Sequence, residues 1–532
     1  MTSTLLWKGH VYAAHDPFAT AMLMVDGQIA WLGDDAGARV HADDVDITVD
    51  LQGAWVAPAF VDAHVHLTAT GLTLLGVDLS TAGSVGEFLS LLRAAAGQGS
   101  GVILGHGWDD STWPEGRPPT TAEVDDAVGE RPAYLSRVDV HSAVASTALR
   151  ARAAAARERH GWSEQGALTR DAHHVIREAA FAAMTVEQRE RAQRAALRTA
   201  ASRGIASVHE NAGPSISGPE DLRGALALGG DPAHPEVVGY WGELHGQGAA
   251  VDLGARGAAG DLFVDGSLGS HTACLRLPYL DRPDGVGVAY ISPEEVAAHV
   301  IASTHAGQQA GFHVIGDGAT DVVVSGLLRA RDEVGDVQMR AARHRLEHLE
   351  MPDAEHVRIL AELGVVASVQ PAFDAAWGGS DRMYAARLGS ARAAGLNPWS
   401  TMLAAGVVLA LGSDAPVTPL DPWGAVRAGV SHTRDEHRIS ARAAFAAHTR
   451  GGRRAARDEG HQPGVLQVGA PATYAVWEPW PLVVHAPDGR LAAWSTDPRS
   501  GTAPLPDVSD GTPACWLTVR DGHVLHDAGA LT

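Results

Sequence analysis

Apolar and polar residues alternate in short runs at both ends of the chain, whereas the middle shows brief apolar runs separated by longer amphipathic stretches. In "AMLMVDGQIAWLG" two strand-like runs flank Asp26-Gly27, a dipeptide suited to a tight hairpin turn. The same style resumes after about residue 463, in "GVLQVGAPATYAVWE" and "CWLTVRDGHVLHD", where Asp521-Gly522 supplies a second turn. Residues 1–57 and 463–532 are therefore expected to pair into one small β domain.

The stretch between them, 58–462, follows the pattern of an α/β fold with parallel strands. Thr185 and Gln188 form a capping box that opens a helix ending at Gly204. Ser292-Pro293-Glu294-Glu295 opens another with an N-cap, a first-turn proline and an N3 glutamate. Eight apolar runs predict strands: "FVDAHVHL", "GIASVHENAG", "EVVGYWGEL", "DLFVDGSLGS", "GFHVIGDGA", "HRLEHLE", "GVVASVQPAF" and "VVLALGSDAPV". Eight is the strand number of a (β/α)8 TIM-like barrel. Residues of about 68–184 break the alternation and read as a long insertion after the first strand.

At 532 residues with 45% hydrophobic and 20% charged positions, the chain can bury a large core. Its net charge of -22 argues against nucleic acid as a partner. Cys274 and Cys515 are too few for a disulfide scaffold, which suggests a reducing compartment. The longest apolar run, Met402–Leu411, is about half of what a membrane helix needs. The expectation is a soluble cytoplasmic protein acting on a small molecule, with a homo-oligomer compatible with it. Lys8 is the only lysine.

The first predicted strand carries the clearest chemistry. Successive strand residues face opposite sides, so Asp62, His64 and His66 share one face. Two imidazoles converging beside a carboxylate suit a divalent cation. Further candidates fall near the carboxyl ends of later strands, where barrel sites are built: His313 in the fifth, His348 in the sixth and Asp414 after the eighth. This donor set suits Zn, and Fe, Mn and Ni are compatible with it. Asp265, Ser267 and His271 lie on the loop after the fourth strand and are candidate substrate contacts, although an Asp-Gly turn also has a conformational explanation. Trp108, Asp109 and His141 belong to the insertion and would either roof the pocket or pack the insertion. Asp317 is a candidate outer partner for His313, and Glu210 is a spare carboxylate.

On "APAFVDAHVHL", "GWDDSTWPEGRPPT", "DLFVDGSLGSHTACLRLPYLD", "HVIGDGA", "RLEHLEMPD", "VASVQPAF" and "LALGSDAPVTPLDPW", the sequence resembles the amidohydrolase superfamily, specifically its family 3 branch, which includes N-substituted formamide deformylases. The resemblance implies a metal-dependent barrel with a β-sandwich made from both chain ends. It also implies a metal site of His64, His66, His313, His348 and Asp414, with a carbamylated lysine bridging two ions from the sequence Lys-x-Phe-x-Asp-Gly. Here that stretch is "DLFVDG", which places Asp261 at the lysine position. No carbamate bridge can form there, and an aspartate reaches two ions only if the backbone moves inward. The expectation is thus one ion held by His64, His66, His313 and Asp414, with His348 contacting the activated water or the substrate carbonyl.

The implied chemistry is hydrolysis of a non-peptide C–N bond, in an amide or N-substituted formamide, by a metal-activated water with Asp414 as general base. Two alternatives stand beside it. One is a mononuclear deaminase of a heterocyclic amine or amidine, and the other is a non-catalytic barrel that binds a small molecule.

Overall fold

The structure, a computed structural model, describes residues 2–13, 15–98, 101–137, 142–458, 460, 464–485, 494–495 and 503–531. Two compact units are present: Met1–His66 together with Leu197–Thr532, and Leu67–Ala196.

In the first unit, apolar runs form parallel strands buried on both faces, with helices between most of them. Phe60–Val65, Ile205–Ala212 and Glu236–Trp241 make a three-stranded sheet. Gly257–Ala258, Gln309–Val314, Arg345–His348, Val366–Val369 and Val408–Leu411 make a five-stranded sheet in chain order. Single backbone bonds join their edges. Asp414 N–H donates to His64 O at 2.8 Å and His66 N–H to Ala415 O at 2.9 Å on one side. Arg256 N–H donates to Gly239 O at 2.7 Å and Ala259 N–H to Trp241 O at 3.1 Å on the other. The α/β class is as expected, but the ladders form two parallel sheets rather than one closed eight-stranded sheet.

The fourth strand also differs from the expectation. Its ladder is confined to Gly257–Ala258, and "DLFVDGSLGS" contributes only a single bridge between Phe263 and His313. Gly260, at φ +89°, begins a tight turn in which Leu262 N–H donates to Gly260 O at 2.8 Å. A Cβ on Gly242 would lie 2.8 Å from the Asp261 backbone, so the glycine permits that segment to approach closely. The turn is what moves Asp261 off the expected strand.

Both chain ends share one β core. Trp55–Pro58 runs antiparallel to Tyr474–Trp477, which pairs with Cys515–Arg520. Leu6, Met22, Val56, Tyr474, Val476 and Val519 pack together there. Asp26, Gly27, Asp521 and Gly522 all have positive φ, as a mirror-image two-residue hairpin turn requires.

The second unit has its own five-stranded sheet, in the order Leu168–Thr169, Ser142–Ala145, Ala133–Arg137, Ile103–Trp108, Val77–Asp78. Phe88, Leu92, Trp108, Trp113, Val124 and Leu135 fill one of its cores. The unit extends beyond the residues of about 68–184 read as an insertion, to a boundary within the helix Val186–Ser202. No helix among the described residues is long and apolar enough to cross a membrane.

Two histidines of the first unit are buried as neutral rings. His344 Nδ1 accepts from Ala310 N–H at 2.9 Å, and its Nε2 meets Thr304 Oγ1 at 3.0 Å. His299 Nδ1 accepts from His245 N–H at 3.0 Å, and its Nε2–H donates to Ala258 O at 2.8 Å. Burial pushes their pKa values down from 6.5, to about 3 for His344 and about 4 for His299. Below pH 6.5 the unfolded chain binds protons that these folded rings refuse. Each therefore removes about 1.4 kcal/mol of stability per pH unit until its folded pKa is reached. Urea midpoints are expected to fall between pH 6.5 and 4.5, and to fall less steeply in His344→Gln; an unchanged slope would refute this account.

Candidate metal centre

His64 lies near the end of the strand Phe60–Val65, and His66 follows immediately after it. His313 is carried by Gln309–Val314 and His348 ends Arg345–His348. Asp414 follows Val408–Leu411 and Asp261 follows the inward turn at Gly260. His348 and Asp414 hold left-handed backbone, at φ 70° and 54°. Such conformations are costly for non-glycine residues and cluster at functional sites.

Asp261 is the centre of the constellation. Its Oδ2 lies 3.4 Å from His64 Nε2 and 3.2 Å from His66 Nε2. Its Oδ1 lies 3.4 Å from His313 Nδ1 and 3.6 Å from His348 Nε2. Asp414 Oδ1 completes the first side, 3.4 Å from His64 Nε2 and 3.2 Å from His66 Nε2. The ligand atoms of His64, His66 and Asp414 lie within 4.8 Å of one another, as do those of His64, Asp261 and His348. The geometry departs from the expected set in two places: Asp261 lies within reach of the histidines, and His313 belongs to neither group of ligand atoms. The inward turn brings Asp261 between two histidine pairs, and His313 stands with His348 on its far side.

The donors fit a cation. His64 Nε2, His313 Nδ1, Asp261 Oδ1 and Asp414 Oδ1 are buried without a hydrogen-bond partner, an expensive arrangement unless a further group joins them. The electrostatics point the same way. Burial opposes charge on His64, yet the Asp261 and Asp414 carboxylates overcome it and raise the imidazole to about 10. His66 is raised well above its ordinary value against the same burial. Burial alone would raise Asp261, but His64, His313 and His348 hold it well below the usual carboxylate range. The site thus prefers positive charge next to its carboxylates.

The outer atoms of three rings are also engaged. His64 Nδ1–H donates to Glu347 Oε2 at 2.9 Å, His348 Nδ1–H to Gln370 Oε1 at 2.8 Å, and His313 Nε2–H to Gly266 O at 3.3 Å. Each bond leaves the other nitrogen facing the cluster. Aromatic rings flank the far side: Phe263 lies 4.7 Å from the His313 ring, and Phe373 stacks on His348 at 5.9 Å.

Several sequence candidates have other tasks. Asp317 accepts from Arg276 N–H and Gly318 N–H instead of orienting His313. Asp265 is buried, with Oδ1 taken by Ile315 N–H and Oδ2 by Cys274 and Gly316 N–H, so it fixes its loop rather than facing substrate. His271 pairs with Asp281 at 3.0 Å, and the Ser267 hydroxyl meets Ser270. Asp62 belongs to neither group of ligand atoms and accepts from Ser413 N–H at 2.9 Å and His64 N–H at 3.2 Å. Trp108 is a core residue whose indole N–H donates to Leu135 O at 2.8 Å, so packing explains it. Asp109 pairs with Arg137 at 2.5 Å. Glu210 is buried in its strand and belongs to neither ligand cluster. His141 lies outside the described residues.

Sequence reasoning weighed Asp261 without placing it among the donors, and it did not single out Arg345, Glu347 or Gln370. The signal for Arg345 and Glu347 was present in "HRLEHLE", where the two share one face of a buried strand and opposite charges are expected to pair.

A model described as the amidohydrolase family matches residues 48–526. Protein LONG AFTER FAR-RED 3 of Arabidopsis thaliana is 28% identical over 459 residues, covering 80% of this chain and 77% of that protein. The N-substituted formamide deformylase of Arthrobacter pascens is 26% identical over 462 residues, covering 78% and 81%. Among solved structures, a metal-dependent hydrolase from Pyrococcus furiosus superposes with a TM-score of 0.75 at 26% identity, covering 89% of this chain and 98% of that one.

Proposed function

The chain belongs to the amidohydrolase family and is a metal-dependent hydrolase, and from that premise we propose that it hydrolyses a non-peptide C–N bond in an amide or N-substituted formamide. The observation that carries this reading is Asp261, with one carboxylate oxygen turned to His64 and His66 and the other to His313 and His348. On this reading His64, His66, Asp414 and Asp261 would hold one divalent ion, and His313 and His348 with the same Asp261 side chain would hold a second. Zn suits the nitrogen-rich donors best.

Bound ions would supply an acidified water and polarise the carbonyl under attack. The protein's own part is positioning and proton transfer. Asp414, buried with its Oδ1 3.2 Å from His66 Nε2 and 3.4 Å from His64 Nε2, is placed to take a proton from the attacking water. It returns that proton to the departing nitrogen, so that water and amide become acid and amine. Phe263, 36% exposed and lying against His313, offers an apolar face to a substrate group. The similarity to an N-substituted formamide deformylase supports formamides as the first substrates to try.

Elemental analysis of freshly purified protein is expected to give close to two ions per chain. A panel of formamides, other amides and heterocyclic amines should then release acid and amine. Ammonia release would favour a deaminase, and a chain that takes up no added metal and turns over nothing would refute the hydrolytic reading.

A further inference from the structure

His64 touches the metal cluster through Nε2 and a different network through Nδ1. Its partner there, Glu347, is fully buried and lies 2.9 Å away. Glu347 is itself gripped by Arg345, whose Nε donates to Oε1 at 2.5 Å and whose NH2 donates to Oε2 at 3.1 Å. Arg345 is also fully buried, and its remaining capacity is spent locally. One nitrogen donates to Ala63 O at 2.8 Å, another to His209 Nδ1 at 3.2 Å, and the guanidinium lies 4.2 Å from the centre of the Tyr240 ring.

A buried ion pair is a poor stability device. Desolvating both charges offsets most of their attraction, and well-packed apolar residues of similar size frequently serve the fold as well or better. Its geometry here suggests a different use. An ionised carboxylate on Nδ1–H fixes the rotation and tautomer of His64, directs Nε2 at the cluster and strengthens that nitrogen as a donor. Arg345 satisfies the carboxylate on its other edge, so the bond to His64 has one geometry. Two of the remaining rings have weaker outer partners, His348 the neutral amide of Gln370 and His313 a backbone carbonyl, and the outer nitrogen of His66 is buried with no hydrogen-bond partner.

We propose that Glu347, clamped by Arg345, is the positioning residue that sets His64 as a metal donor, and that the pair serves metal affinity rather than folding. This rests on the metal-dependent reading above.

The test is zinc affinity of metal-stripped protein, measured by competition with a chromophoric chelator, in the natural chain and in the double variant Arg345→Met, Glu347→Leu. The double variant removes both charges and leaves apolar groups of similar length. The expected result is an unfolding midpoint of the stripped protein close to that of the natural chain, zinc binding weakened by about 10–100-fold, and an altered visible spectrum of the cobalt-substituted protein. Glu347→Gln, which keeps an acceptor but loses the charge, should fall between the two. Equal affinity in the folded double variant would overturn the proposal while leaving the metal-dependent reading intact. No zinc uptake by the natural chain would overturn both. A double variant that fails to fold would overturn the claim that the pair does not serve folding, and the affinity of Glu347→Gln would then decide whether Glu347 positions His64, with no measurable weakening counting against it.

Discussion

Asp414→Asn is expected to abolish turnover while leaving the fold in place. The substitution conserves volume, and the backbone around it is anchored independently, with Asp414 N–H on His64 O at 2.8 Å and Ser413 N–H on Asp62 at 2.9 Å. Residue 414 also has φ 54°, a left-handed conformation that asparagine tolerates as well as aspartate does. What is lost is the anion 3.2 Å from His66 Nε2 and 3.4 Å from His64 Nε2, and with it the general base. Loss of the base alone predicts a fall on the order of 10²–10⁴-fold in kcat, and loss of a charged ligand adds to it. Steady-state kinetics on whichever amide the panel identifies, beside a thermal melt, checks both halves; retained turnover would sink the assignment.

Asp261→Asn is the second large effect, and it separates two accounts of the centre. An asparagine cannot present an anion to both histidine pairs. Metal content is expected to fall from near two ions per chain to one or fewer, and turnover by about 100-fold or more if that carboxylate holds a catalytic ion. If Asp261 were only a bystander beside a single ion bound by His64, His66, His313 and Asp414, stoichiometry would be unchanged. Elemental analysis of the variant, alongside activity, decides between them.

Much of the site was legible in the sequence because its donors sit at predictable places. His-x-His places two rings on one strand face, and His313, His348 and Asp414 fall near the carboxyl ends of strands whose apolar runs are unmistakable. The position of Asp261 between the histidines was not legible, since its reach depends on a turn at Gly260 and on the missing side chain of Gly242, neither of which a strand pattern reveals. Asp265 looked like a substrate contact for the opposite reason: a buried aspartate spent on three backbone N–H groups has the same signature in a sequence as one facing a ligand. For the fold, the two Asp-Gly turns and the capping box at Ser292 and Glu295 read directly from local chemistry. The sheet inside Leu67–Ala196 did not, because its two edge strands, Val77–Asp78 and Leu168–Thr169, are only two residues long and its strands carry no donor motif to mark their ends.

The replacement of lysine by Asp261 also has a physiological side. A carbamylated lysine is completed only after synthesis, by reversible capture of dissolved carbon dioxide, so a centre built on it depends on the supply of that gas. In this chain Lys8 is the only lysine, half exposed and paired with Asp50 at 2.7 Å. On the two-ion reading proposed above, the bridging group would instead be an encoded carboxylate, present from the moment the chain folds. A centre bridged by Asp261 would then need protein and metal alone, without bicarbonate.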